Sequence, residues 1–287
     1  MLAALVYGLA FAGNPIQKDI VYRNIGGNQV MADFYAPELH NPKGDPFVIV
    51  VHGGAWTGGK RQEMAILCEA LAKAGIASAT VDYRLAPQSK WPAQIDDCQA
   101  AVRYFRANAA KFGLDTTKMG AAGASAGGHL SLLLGFTDTR DAKDPDNPGQ
   151  SSRVQYVLNL FGPTDLSKDF DPNVAALVSL QVTGQKYDPA SESVKSLSPI
   201  NYVDGKSAEV FTIHGLADTL VPPKQAQRLD EALAAAKVFH ETRLIPGMKH
   251  EFNPGIPEFM KSVEDGIRFL SERLKTTSGK FEIARTG

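Results

Sequence analysis

The sequence predicts an α/β fold, a mostly parallel central sheet with helices on both faces. Beyond the first third of the chain, short apolar runs of strand character alternate with longer runs of helical spacing, and that βαβα order wraps helices around a parallel sheet. Phe47 to Val51 is continuously apolar and rich in valine, as a strand buried on both faces requires. With 287 residues, 44% of them hydrophobic, the chain can bury a sizeable core, and α/β domains of this size commonly stay undivided.

Taken in order, Met1 to Ala12 is almost wholly apolar and ends Ala10-Phe11-Ala12, the small-x-small pattern of a signal-peptidase site, yet no Lys or Arg precedes it. Residues 1–18 therefore read either as a truncated signal segment, implying a secreted or periplasmic protein, or as an apolar segment packed on a cytoplasmic one. A single domain is expected over residues 19–274. Residues 20–25 and 30–35 read as antiparallel strands around Gly26-Gly27-Asn28. Met64 to Lys73 has helical spacing and stops at Gly75; Ile76 to Val81 is a strand; Ala93 to Lys111 reads as one long helix closing at Gly113. Strands follow at Lys118 to Ala122, Val154 to Phe161, Glu209 to Ile213 and Glu241 to Ile245, with helices around Leu130 to Leu134 and over 223–236 and 256–274.

Two stretches break the alternation. Thr137 to Arg153 is polar and rich in Pro and Asp, and is read as a solvated loop rather than a calcium site. Residues 163–207 have weak periodicity and several prolines, which predicts a lid-like insertion. The polar stretch 275–287 is read as a tail.

Composition narrows the function. Thirty basic against thirty-one acidic residues leave a net charge of −1 with no basic run, which argues against a nucleic-acid partner. No stretch is long and apolar enough for a membrane span. The two cysteines, Cys68 and Cys98, fall in helical stretches and read as small buried hydrophobes, with neither disulfide nor metal spacing.

Chemistry enters at Gly123-Ala124-Ser125-Ala126-Gly127, between a strand-like and a helix-like run. A serine on such a turn exposes Oγ from a strained backbone, glycines two residues either side let neighbouring elements approach, and the next helix aims its first N–H groups at a developing oxyanion. A plain glycine-rich turn would look the same locally, so the rest of the chain must decide. His52-Gly53-Gly54-Ala55-Trp56 directly follows the buried strand, where paired glycines can turn N–H groups toward a substrate oxygen. Gly53, Gly54 and Ala126 are the expected oxyanion donors. His52 itself is read as a backbone-bonded turn residue.

A serine nucleophile needs a base, and the base needs an orienting acid, in the chain order nucleophile, acid, histidine. Of the six histidines, His40, His52 and His129 come too early in that order. His214 ends a strand as a turn residue, and His240 lies at the entrance of the last strand, away from the site. His250 follows that strand in a loop and is the expected general base. Asp218, in the loop after the penultimate strand, is the expected acid; an N-cap role is the competing reading, though Thr219 to Val221 separate it from the helix. Asp165 follows a strand at the same sheet edge and stays open as the alternative acid. Glu251 is read as a loop group.

The segments His52 to Trp56, Asp82-Tyr83-Arg84-Leu85-Ala86-Pro87, Gly123 to Leu130, His214 to Pro222 and Pro246 to Phe252 together resemble the α/β-hydrolase fold esterases. The chain is most similar to the BD-FAE branch, bifunctional feruloyl and acetyl-xylan esterases related to hormone-sensitive-lipase-like enzymes, over residues 20–274. Ala55 stands where lipase-like relatives often carry a third glycine, and Ala124 where many carry an acid. The resemblance implies an α/β-hydrolase fold and a serine carboxylic-ester hydrolase with Ser125, Asp218 and His250 as its triad, needing no metal or organic cofactor. It assigns Asp82 and Arg84 to bracing the oxyanion loop. The expected substrate is a small-molecule or polysaccharide-linked ester with a short-chain or aromatic acyl group, and Trp56 and Trp91 are candidates for lining an aromatic-acyl pocket. An arylformamidase, with the same triad and a similar His-Gly-Gly-x-Trp loop, is the alternative; a catalytically dead hydrolase-fold binding protein would be expected to have lost the serine or the histidine.

Overall fold

The computed structural model describes residues 16–141, 144 and 146–274. The expectations for the N-terminal apolar segment and for the tail after Leu274 lie outside these residues. Eight strands form one sheet in the order β1-β2-β4-β3-β5-β6-β7-β8. They are β1 (Gln17–Ile25), β2 (Asn28–Tyr35), β3 (Asp45–Val51), β4 (Ala77–Val81), β5 (Leu114–Ala124), β6 (Tyr156–Leu160), β7 (Glu209–Gly215) and β8 (His240–Ile245). β1 and β2 pair antiparallel, as do β2 and β4; β3 to β8 run parallel.

The helices are α1 (Ala65–Lys73), α2 (Ala93–Ala107), α3 (Ala109–Phe112), α4 (Ala126–Phe136), α5 (Pro172–Thr183), α6 (Glu192–Ser196), α7 (Lys224–Ala235) and α8 (Pro257–Leu274). They cover both faces of the sheet, which is why β3 is fully buried. Phe47, Ile49 and Val51 pack with Phe105 of α2 and Leu130 and Leu133 of α4. Val48 and Val50 point the other way, onto Leu71 of α1 and Leu270 of α8. Each such side chain taken fully from water contributes about 1.5–3 kcal/mol, so an alternating polar pattern in β3 would forfeit one of the two layers.

Three stretches depart from expectation. The helix expected from Ala93 to Lys111 breaks at Asn108, whose side-chain amide donates to the Tyr104 carbonyl at 2.8 Å and competes with the helical ladder. The stretch 137–153 is not simply solvated: Asp144 turns inward to Arg23 and Arg103, each at 2.8 Å, and Asp146 meets Arg23 at 3.0 Å. Among the described residues no cluster of His, Cys, Asp or Glu is arranged to hold a metal ion. Residues 163–207 are more regular than their sequence suggests, carrying α5 and α6. Leu177 and Leu180 stay exposed on α5 while Ala175, Ser179 and Val182 are buried, and apolar residues on both faces flatten the helical period.

Candidate active site

Parallel register assembles the site at the carboxyl ends of the strands. Val51 of β3 pairs with Gly123 of β5, so Gly53 and Ser125, two residues beyond each, lie side by side. A Cβ on Gly53 would come within 3.0 Å of the Ala124 carbonyl oxygen and 3.4 Å of Ser125 Cβ. Ser125 takes φ 55° and ψ −121°, a conformation costly for a non-glycine residue, and Ala126 opens α4 directly after it. The turn is possible because Gly123 and Gly127 lack side chains. A Cβ on Gly127 would lie 2.0 Å from the Val51 carbonyl oxygen, and one on Gly123 2.4 Å from the Gly127 backbone.

The loops after β7 and β8 deliver the other groups. Gly215 pairs with Ile245, and the Ala217 N–H donates to the Met248 carbonyl at 3.0 Å, which ties the two loops together. His250 Nε2 lies 2.8 Å from Ser125 Oγ, and His250 Nδ1 lies 2.7 Å from Asp218 Oδ2. Serine, histidine and aspartate thus form one continuous hydrogen-bonded series. Asp218 is buried. Burial alone would raise its pKa, but hydrogen bonds from His214, His250 and the Val221 N–H outweigh that and hold the carboxyl well below the usual carboxylate range. Its Oδ1 accepts from the Leu220 and Val221 N–H groups at 3.0 and 2.9 Å, bracing the turn ahead of α7; Lys224 opens that helix, so Asp218 is not its N-cap.

Asp165 goes elsewhere. Its carboxylate accepts from the Ser167 N–H and hydroxyl, at 3.0 and 2.5 Å, inside its own loop. Glu251 accepts from Asn253 at the surface, and His240 Nδ1 binds the Val238 carbonyl at the far end of β8.

The His52 ring binds the Gly53 carbonyl at 2.7 Å and stacks on Tyr83 at 4.3 Å between centroids, the turn role expected of it. Gly54 takes φ 107°, and a Cβ there would lie 2.3 Å from the Gly58 carbonyl oxygen. The Tyr83 hydroxyl donates to the His52 carbonyl at 3.1 Å. Asp82 binds Arg61, both through the Arg61 N–H at 2.9 Å and through its guanidinium, anchoring the chain that leaves the glycine loop. Arg84 grips Asp97 with its guanidinium.

A pocket of about 610 Å³, counting its mouth, opens beside Ser125. Ala55 and Trp56 form one side; Leu166, Phe170, Val174 and Val178, all between β6 and β7, form much of the rest. Trp56 is buried, lines this pocket and donates its ring N–H to His129. Trp91 is not among the lining residues; its Nε1 donates to Ser196 Oγ at 2.9 Å.

Two contacts were not foreseen from sequence. His214 is not merely a turn residue: fully buried, it sends Nε2–H to the Val221 carbonyl at 2.8 Å and lies 3.3 Å from Asp218 Oδ2. The spacing His214 to Asp218, across a strand end and a tight turn, is the signal that could have revealed it. Phe161 sets its ring edge-on to His250 at 5.0 Å, with φ 43° at the end of β6, a placement no local pattern announces.

The family model BD-FAE matches residues 32–233. Esterase LipC of Mycobacterium tuberculosis is 35% identical over 215 residues, 72% of this chain and 53% of that protein, so the chain spans about half the length of this curated relative. A solved structure titled as a truncated carbohydrate esterase from gut microbiota is 29% identical, with a TM-score of 0.77 over 94% of this chain and 100% of the other. An esterase from Thermogutta terrifontis, at 24% identity and TM-score 0.78 over 92% of this chain and 97% of its own, shares the fold. With the β3–β8 parallel core, the serine turn after β5 and the family match over most of its length, the chain is an α/β-hydrolase fold protein of the BD-FAE family.

Proposed function

We propose that the protein is a carboxylic-ester hydrolase in which Ser125 is the nucleophile, His250 the general base and Asp218 the acid that orients it. The hydrogen-bonded series from Ser125 Oγ through His250 to Asp218 is the observation that carries this reading. Ser125 Oγ attacks the ester carbonyl while its proton passes to His250 Nε2; the Gly53, Gly54 and Ala126 N–H groups stabilise the oxyanion, each worth roughly 3 kcal/mol. Collapse expels the alcohol, which takes the proton from His250, and leaves Ser125 acylated. Water then attacks the acyl carbonyl through the same base, releasing the acid and restoring the serine. Asp218, kept anionic, holds the imidazole with Nδ1–H toward itself and Nε2 free for the serine proton.

The wall beside Ser125 supports an apolar acyl group, short-chain or aromatic. Its other hydroxyls are already committed, Ser179 to the Gln185 carbonyl and Tyr187 to the Leu166 carbonyl, both at 3.1 Å. A sugar seated there would lose its water without replacement partners, so in this reading a carbohydrate occupies the alcohol side. The segment over 163–207 acts as the wall of the acyl pocket. A hydrolysis panel of p-nitrophenyl acetate, butyrate and octanoate, methyl ferulate, acetylated xylan and N-formylkynurenine tests the reading. Turnover of the esters above the formamide is expected; turnover of N-formylkynurenine alone would replace it with an amide hydrolase.

A further inference from the structure

His129 has no part in the reaction just described, yet it occupies the junction of everything that shapes the acyl pocket. It lies in α4, one turn beyond Ser125, and is fully buried. Its Nδ1 accepts the Trp56 ring N–H at 3.2 Å, and its Nε2–H donates to the Leu197 carbonyl at 2.5 Å. An indole N–H only donates and a carbonyl only accepts, so the two bonds fix one neutral tautomer. Burial, partly offset by the bond to Leu197, lowers its pKa to about 4, so the ring stays neutral where the two bonds need it neutral. Trp56 follows the glycines of the oxyanion loop; Leu197 follows α6 on the opposite wall; both line the pocket. Trp91 packs edge-on to the same imidazole at 5.9 Å and bonds Ser196, the residue before Leu197.

We propose that His129 is a positioning residue that clamps the acyl-pocket wall to the oxyanion loop, so that the alignment of the Gly53 and Gly54 donors and the seating of the acyl chain are set by one buried imidazole. The inference rests on the ester-hydrolase reading. The two bonds separate by amide reach: an asparagine oxygen can stand where Nδ1 stands, and a glutamine amide nitrogen where Nε2 stands.

Steady-state kinetics on p-nitrophenyl acetate and octanoate, per folded protein, compare wild type with Trp56→Phe, His129→Gln and His129→Asn. Losing the Trp56 bond, in Trp56→Phe and His129→Gln, should lower kcat about tenfold on both esters with KM within about twofold, the size expected for one buried hydrogen bond felt in the transition state. His129→Asn, which loses the Leu197 bond, should raise KM for octanoate about tenfold more than KM for acetate. Trp56→Phe keeps an aromatic ring at this position and serves if the histidine variants fold poorly. The clamp is overturned if folded Trp56→Phe keeps wild-type kcat and KM, or if the variants lower only melting temperature. Wild-type protein inactive on both esters would instead remove the ester-hydrolase reading, and this inference with it.

Discussion

Asp218 divides its carboxylate between two tasks, one oxygen holding the loop through the Leu220 and Val221 N–H groups and the other facing His250 and His214. Asn at this position keeps the shape but can present a donor where the imidazole N–H needs an acceptor. Asp218→Asn should therefore lower kcat by roughly 10⁴, whereas Asp165→Asn, which loosens contacts to Ser167 inside its own loop, should change kcat by less than about threefold, the scale of one local hydrogen bond. Near-normal turnover in folded Asp218→Asn would break the assignment. His129 carries a separate prediction about stability. Burial lowers its folded pKa to about 4, and among the described residues its ring meets the Trp56 and Trp91 rings and the Leu197 carbonyl. An unfolded histidine titrates near 6.5, so as pH falls below that value the unfolded chain takes up a proton the folded one refuses. Stability is unaffected above about pH 6.5 and falls progressively toward pH 4, by about 2 kcal/mol at pH 5. Urea unfolding at pH 7 and pH 5 should show that loss in wild type and its disappearance in His129→Gln; an equal loss in both would refute it. At this scale, the meeting of Ser125, His250 and Asp218 in one hydrogen-bonded series was legible because strand order restricts where each can come from. His129 and Phe161 were not, because their partners lie far away in sequence.

Among the elements, the strands were the most legible, because β3, β4, β6 and β7 are short, largely apolar runs whose boundaries differ from expectation by two residues at most; β5 starts four residues earlier than expected, at Leu114, because its opening stretch is polar. Helices failed where a polar side chain or a mixed face intervened. Asn108 interrupts α2 and α3 by bonding a carbonyl of the preceding turn, and α5 leaves Leu177 and Leu180 in solvent while its inner face meets the pocket. The inner face gives a test of α5 as the acyl wall. Val178→Trp should fill the pocket and cut kcat/KM for octanoate roughly tenfold or more relative to acetate, an effect of about 1–3 kcal/mol. Leu180→Lys on the exposed face should leave that ratio unchanged, with stability within about 0.5 kcal/mol. Equal chain-length profiles for wild type and Val178→Trp, measured on p-nitrophenyl esters, would take α5 out of the pocket.

At the scale of the whole molecule, the site is a product of register. The parallel pairing of β3 with β5 sets the glycine loop beside the serine, and that of β7 with β8 sets Asp218 within reach of His250. The sequence conveys the order of these loops but not how closely they approach. Residue patterns specify which strands exist, while the tightness of the serine turn depends on glycines whose role is to be absent. Gly127→Ala places a methyl 2.0 Å from the Val51 carbonyl oxygen, between two backbones with no side chain to yield. It should lower stability by about 3 kcal/mol or more, seen as a lower melting temperature together with lost activity. An unchanged melting temperature would mean that β3 and α4 are not packed as closely as described.

The account stands or falls on Ser125. Its side chain is small and only partly buried, so Ser125→Ala should fold with the wild-type melting temperature while ester hydrolysis falls roughly a million-fold, the scale of losing the nucleophile from a working triad. Turnover of p-nitrophenyl acetate by purified Ser125→Ala, measured beside its melting curve, is the direct measurement. A folded variant retaining more than about a thousandth of wild-type kcat would contradict nucleophilic catalysis by this serine.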